Sequence, residues 1–233
     1  MVVIGSLVAI VVVKQFFGGI GQNFVNPALA GRIVLLTSFP VAMSTWTQPL
    51  TWTMSKLDGI TSASPLSSIH EMASGGAAPD VSIVEMLIGW RAGCLGETCA
   101  VALVLGGIYL VVRKVISPTI PLTYIGTVAV IMLIAGKGDF RFVAYELLGG
   151  GLMLGAIFMA TDYTTSPITP KGKIIFGIGC GLITSIIRIF GNLPEGVSYS
   201  IIIMNILVPL IENVTLPKPF GTPKKEKKEA EAK

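Results

Sequence analysis

The 233 residues are 52% apolar and only 13% charged, with a formal net charge of +4 and a mean hydropathy of +0.77. A soluble domain carries about 25% charged residues, so roughly half the usual charge is missing and a water-soluble globule is excluded. The chain reads as an all-α integral membrane protein; the lipid bilayer is its first partner, and no nucleic-acid partner is expected.

Segments 2–13, 98–112 and 119–135 hold no charged residue at all. A membrane span needs about 20 predominantly apolar residues, with about 17 as the lower limit. In chain order, seven stretches qualify or come close: 1–17, 29–48, 94–112, 119–135, 142–161, 174–190 and 199–215. Met1 runs straight into apolar residues, without the basic leader or small-residue cleavage site of a signal peptide. Either the first helix is uncleaved, or an upstream portion is absent from this chain. The glycine-rich stretches 18–31, 89–96 and 149–155 permit interrupted helices or close helix contacts.

Orientation follows from the bias of Lys and Arg toward cytoplasmic loops. With the tail after Pro217 inside, alternation puts Lys14, Arg32, Arg113, Lys114, Lys171 and Lys173 on the same side, making twelve of the 17 basic residues cytoplasmic. Lys56, Arg91, Lys137 and Arg141 fall outside, with Arg188 near an outer helix end. Residues 1–217 are then one transmembrane helical domain, in which the long loop 49–80 is extracytoplasmic. Residues 218–233 are a mixed-charge cytoplasmic tail, expected to be disordered and solvated.

Cys94, Cys99 and Cys180 are the three cysteines. An iron–sulfur cluster normally takes four thiolates, so these read as small buried hydrophobes. His70 is the single histidine, which leaves no multi-histidine haem or metal site within the chain. Acids within the apolar segments are the other constellation, because buried ionisable groups are costly in lipid. Glu97 and Glu146 lie in apolar surroundings, and Asp162 ends the run 152–161. Glu97 is either an ion-coupling group or a structural carboxylate facing Arg91 or a helix terminus. Glu146 reads as structural. Asp162 is either ion-coupling or an interfacial residue before the Thr164-Thr165-Ser166-Pro167 turn, and Arg188 is expected to snorkel outward.

The loop between the second and third stretches is rich in hydroxyls. Asp58-Gly59 and Ser64-Pro65 are both turn signals, and on physics alone this is a solvated loop. The run Asp58-Gly59-Ile60-Thr61-Ser62-Ala63-Ser64 also resembles the D-G-x-[ST]-G-A-[ST] signal read by the transferase that attaches FMN to proteins. Further blocks appear in order: Asn26-Pro27-Ala28, Gly31-Arg32, Ser38-Phe39-Pro40, Gly96-Glu97-Thr98, Phe158-Met159-Ala160-Thr161-Asp162, Pro194-Glu195-Gly196 and Met204-Asn205. Together they resemble the RnfD/NqrB family, the flavin-bearing membrane subunits of ion-pumping respiratory complexes. Cys99 stands where that family has serine, and Tyr163 where it usually has proline.

The resemblance implies a larger bundle of ten helices in two inverted five-helix repeats, of which this chain holds the part after the first three. It implies FMN held on Ser64 through a phosphoester, with Asp58, Gly59 and Thr61 as the attachment signal. Family members commonly carry threonine at that last position and glycine where Ser62 stands; serine offers the same nucleophilic oxygen. It also implies a second, noncovalent riboflavin and a place in the cytoplasmic membrane of a bacterium or archaeon, and it sets the ion-coupling candidates Glu97 and Asp162 within matching sequence blocks. The partners would be the other subunits of an Rnf-type complex, which moves electrons between ferredoxin and NAD, together with the flavin transferase. A quinone-reducing Nqr-type subunit and a cofactor-free channel or transporter are the alternatives.

Overall fold

The computed structural model describes residues 1–47, 61–62, 69, 81–91, 93–94, 96–191 and 196–217. Asp58, Gly59, Ser64, His70, the Pro194-Glu195 pair and the tail 218–233 lie outside the described residues.

The first helix, α1 (Val2–Gln15), is wound as a π-helix from Val8 onward. Helix α2 (Pro27–Ser38) starts where Asn26 caps the backbone N–H groups of Ala28 and Leu29 and Pro27 takes the first turn. It stops at Phe39, whose φ of −134° leaves the helical region because a residue before proline is pushed out of it. The short α3 (Pro40–Ser44) follows. The stretch 29–48 is therefore not one straight span, and the 12 residues of α2 cover only about 18 Å.

After α3 the chain forms the one sheet among the described residues. Strand β1 (Trp46–Thr47) pairs antiparallel with β2 (Thr61–Ser62), Trp46 opposite Ser62 and Thr47 opposite Thr61. Helix α4 (Ile83–Ile88) carries a capping box between Ser82 and Glu85. Helix α5 (Ala100–Val112) begins only at Ala100, so residues 94 and 96–99 of the expected third span are non-helical. Helix α6 (Thr119–Ala135) is followed by α7 (Phe140–Leu148), capped by Asp139. A glycine break then leads to α8 (Leu152–Met159), and the two axes are bent by 65°. The stretch 142–161 is thus a broken element.

The last two helices are α9 (Pro170–Phe190) and α10 (Val197–Thr215), each long and apolar enough to cross a membrane unaided. The bent α7–α8 pair is a third candidate span, and α1, α2, α5 and α6 are shorter apolar helices. The core lies where α6, α9 and α10 meet, around Tyr124, Val128, Phe176, Cys180 and Ile201. Glycines set that approach: a Cβ on Gly181 would stand 2.6 Å from Thr127 Cβ, and one on Gly179 only 2.5 Å from Met204 Cε. Small residues let helix backbones come close without a hydrophobic drive from water.

Candidate functional site

A helix broken inside a bilayer exposes carbonyls at the end of its first half and N–H groups at the start of its second. Lipid cannot satisfy either set, so protein groups must. Here the break is Gly149-Gly150-Gly151, with Gly150 at φ +62°.

Arg188 on α9 answers the first set. Its Nη1 donates to Glu146 O at 2.6 Å and to Glu146 Oε2 at 2.8 Å, and its Nη2 donates to Gly149 O at 3.2 Å. The two side chains are 2% and 5% exposed. The expected outward snorkelling of Arg188 is corrected: the guanidinium turns inward because a buried carboxylate and two carbonyls await it. Glu146 is the structural carboxylate it was read to be.

Glu97 stands at the other half. It is 5% exposed, and its Oε1 accepts from the Cys94 N–H at 3.0 Å. A Cβ on Gly151 would lie 3.0 Å from Glu97 Oε2, so glycine there lets the carboxylate approach the first turn of α8. The partial positive charge of a helix N-terminus favours an anion at that point. Buried Arg91 donates to Glu97 O at 2.8 Å and to Thr98 O at 3.3 Å, fixing the backbone that presents the acid. The carboxylate itself faces Arg32, whose Nη2 is 3.9 Å from Oε2, and Arg32 Nη1 also donates to Cys94 Sγ at 3.4 Å. Arg32, counted from sequence among the cytoplasmic-side charges, sits inside α2 and is engaged in an internal pair, so it is weak evidence for orientation. Arg32, Glu97, Gly151 and Ser198 line a cavity of about 10 Å³, room for a single water.

Asp162 lies three residues past α8. Its Oδ2 accepts from Thr164 Oγ1 at 2.9 Å and Thr165 Oγ1 at 3.0 Å. Asn23 Nδ2 donates to Thr164 Oγ1 at 3.0 Å, and Asn26 Nδ2 to Met159 O at 3.3 Å. The Asn205 amide, oriented so that both ends are satisfied, donates to Thr165 O and accepts from the Asn26 N–H. Asp162 is half-buried and organises the turn that follows α8.

The family model described as NQR2, RnfD, RnfE matches residues 1–221. The chain belongs to this family. One relative, from the Na⁺-translocating ferredoxin:NAD⁺ oxidoreductase complex of Acetobacterium woodii, is 48% identical over 231 residues, covering 99% of this chain and 69% of the relative. Another, from the proton-translocating ferredoxin:NAD⁺ oxidoreductase complex of Clostridium ljungdahlii, is 44% identical over 233 residues, covering 95% and 69%. A third, from the ion-translocating oxidoreductase complex of Stutzerimonas stutzeri, is 37% identical over 243 residues, covering 93% and 69%. All three are named as the same lettered component of their complexes, the one that the D of RnfD denotes.

The RnfD/NqrB sequence blocks converge in space at two places. Gly31-Arg32 and Gly96-Glu97-Thr98 meet at the break, through the Arg32–Glu97 pair. Asn26, the end of Phe158-Met159-Ala160-Thr161-Asp162, and Asn205 meet at the turn after α8. Asp162 and Glu97 share no contact given by these hydrogen bonds; α8 runs between them. Of the attachment signal, only the backbone of Thr61 and Ser62 is described, paired to β1. Sequence reasoning missed the Arg188–Glu146 clamp and the asparagines 23, 26 and 205. The available signal was amides beside or within apolar helices, Asn26 and Asn205 already standing in the family blocks. The chemistry of Ser64 fits FMN, since its hydroxyl can form the phosphoester that a threonine would.

Proposed function

We propose that the chain is the membrane subunit of an ion-translocating ferredoxin:NAD⁺ oxidoreductase complex of the Rnf type. It relays electrons through FMN carried on Ser64 and a noncovalent riboflavin, coupled to Na⁺ or H⁺ movement. The observation that carries this reading is agreement along nearly the whole chain with relatives named as the corresponding component of such complexes. The buried Glu97 carboxylate facing a partly exposed Arg32 beside a broken helix is what an ion-coupling membrane subunit needs and a passive scaffold does not.

Bound flavin supplies the electron-carrier chemistry. The chain's own residues do the rest: Ser64 holds the cofactor, Asp58, Gly59 and Thr61 mark it for attachment by a flavin transferase, and Glu97 and Asp162 present carboxylates for the coupled ion. The loop 49–80 faces outward and the Lys-rich tail inward, in the cytoplasmic membrane of a bacterium or archaeon. The other Rnf subunits surround the chain.

The deciding experiment is denaturing electrophoresis of the native complex. Flavin fluorescence should travel with this chain. A band without flavin, from complex assembled alongside its transferase, would favour a cofactor-free transporter.

A further inference from the structure

We propose that Arg188 is a tethered cation: it occupies a three-oxygen cation site at the end of α7 and thereby keeps transported ions out of that half of the break. The oxygens are Glu146 Oε2, Glu146 O and Gly149 O, at 2.8, 2.6 and 3.2 Å from the guanidinium nitrogens. One carboxylate and two carbonyls at a helix C-terminus are a ligand set for a monovalent cation. The negative end of the half-helix adds to the attraction, and in broken-helix transporters such ends coordinate Na⁺.

This cation cannot leave. Arginine is not deprotonated in proteins, so no proton is exchanged at the position. Its backbone belongs to a 21-residue helix held against α6 and α10 by glycine contacts, so it does not diffuse away either. Both partners are buried, which withholds water from competing. The contrast lies across the break: Arg32 and Glu97 are 3.9 Å apart, with the arginine side chain 16% exposed. The two pairs divide the work. Arg188 positions the break, and exchange with a mobile ion is left to the Glu97 side. That second half of the claim rests on the function proposed above; the first half does not.

The test uses the assembled complex in native membranes, with Arg188→Ala, Arg188→Lys and the double variant Arg188→Met/Glu146→Gln. Arg188→Ala leaves a buried carboxylate uncompensated, so thermal stability and turnover should both fall. Methylguanidinium at millimolar concentration should restore at least about a tenth of the lost turnover, saturably, and should raise the thermal unfolding temperature of the variant but not of the wild type. Arg188→Lys should slow turnover while leaving the half-saturating concentration of the coupling ion unchanged. If Arg188→Ala does not assemble alone, growth with methylguanidinium should rescue assembly, and the double variant should assemble without it. Arg188→Ala that matches the wild type, or that ignores methylguanidinium in both stability and assembly, would overturn the tethered cation. A changed ion dependence in Arg188→Lys would overturn the exclusion of mobile ions while leaving the cation site standing. Because stability rescue needs no turnover, it reads the site even if the complex moves no ion.

Discussion

The Tyr124 hydroxyl lies 2.6 Å from Thr184 Oγ1, and Ser200 Oγ closes the triangle at 2.9 Å from the tyrosine and 2.7 Å from the threonine. All three residues are fully buried, one each on α6, α9 and α10. Ser200 Oγ also donates to Val197 O at 2.8 Å. A carbonyl accepts without donating, so the chain of hydroxyls ends there and serves as a knot between helices, with no path for a proton beyond it.

Tyr124→Phe should therefore destabilise the bundle by about 1–2 kcal/mol, the cost of a lost buried hydrogen bond, without changing ion dependence. Thermal unfolding of the detergent-solubilised complex measures the first, and turnover against cation concentration the second. A changed cation dependence would make the triangle part of the coupling route.

Ser64→Ala should abolish covalent flavin and leave the complex assembled, since only the final hydroxyl of the 58–64 signal is assigned the bond. Ser64→Thr should keep it. Intact-protein mass spectrometry decides, and an unchanged FMN adduct on the alanine variant removes Ser64 from the mechanism.

Asp162→Asn should spare flavin content and depress ion-dependent turnover, or shift its cation requirement. The fold should survive, because an asparagine oxygen can still accept from Thr164 and Thr165. Steady-state electron transfer against Na⁺ concentration and pH, with flavin measured in parallel, is the check. Wild-type rates with unchanged ion dependence would leave Asp162 as the residue that shapes the turn after α8.

Topology is tested by cysteine labelling in sealed vesicles, after replacement of Cys94, Cys99 and Cys180. Probes at Ser55→Cys and Ala230→Cys should be accessible from opposite faces. Labelling of both from one face would break the helix count on which the outward placement of the attachment loop depends.

Class was legible because it is additive: charge and hydropathy sum along the chain, and their totals identified a helical membrane protein. Continuity of the helices was not additive. Pro40 disfavours a helical backbone at its predecessor, and Phe39 leaves the helix there, yet an average over 29–48 passes across it. The Gly149–Gly151 break was marked as permissive, but whether glycine there meant close packing or interruption depended on Arg188, 37 or more residues further on. Arg32 was counted as a cytoplasmic-side charge because its partner Glu97 is 65 residues away, and a pairing of that kind leaves no periodic trace. Ordered blocks such as Asn26-Pro27-Ala28 and Met204-Asn205 pointed to the family; that they share one hydrogen-bonded turn emerged only in three dimensions.

Helix α9 meets the α6 backbone through Gly177 and Gly181, where an added Cβ would stand 3.2 Å from Ile120 O and 3.0 Å from Tyr124 O, so it behaves as a keel seated against a plank. The guanidinium of Arg188 rides seven residues beyond Gly181, about 10 Å along the axis. A methyl group added at Gly177 or Gly181 would shove the keel sideways and be felt at the Glu146 carboxylate about two to three turns away. Substitutions with no polar atom and no contact to any charge can thus disturb electrostatics at the break, and a genetic screen for coupling defects should recover them among these glycines.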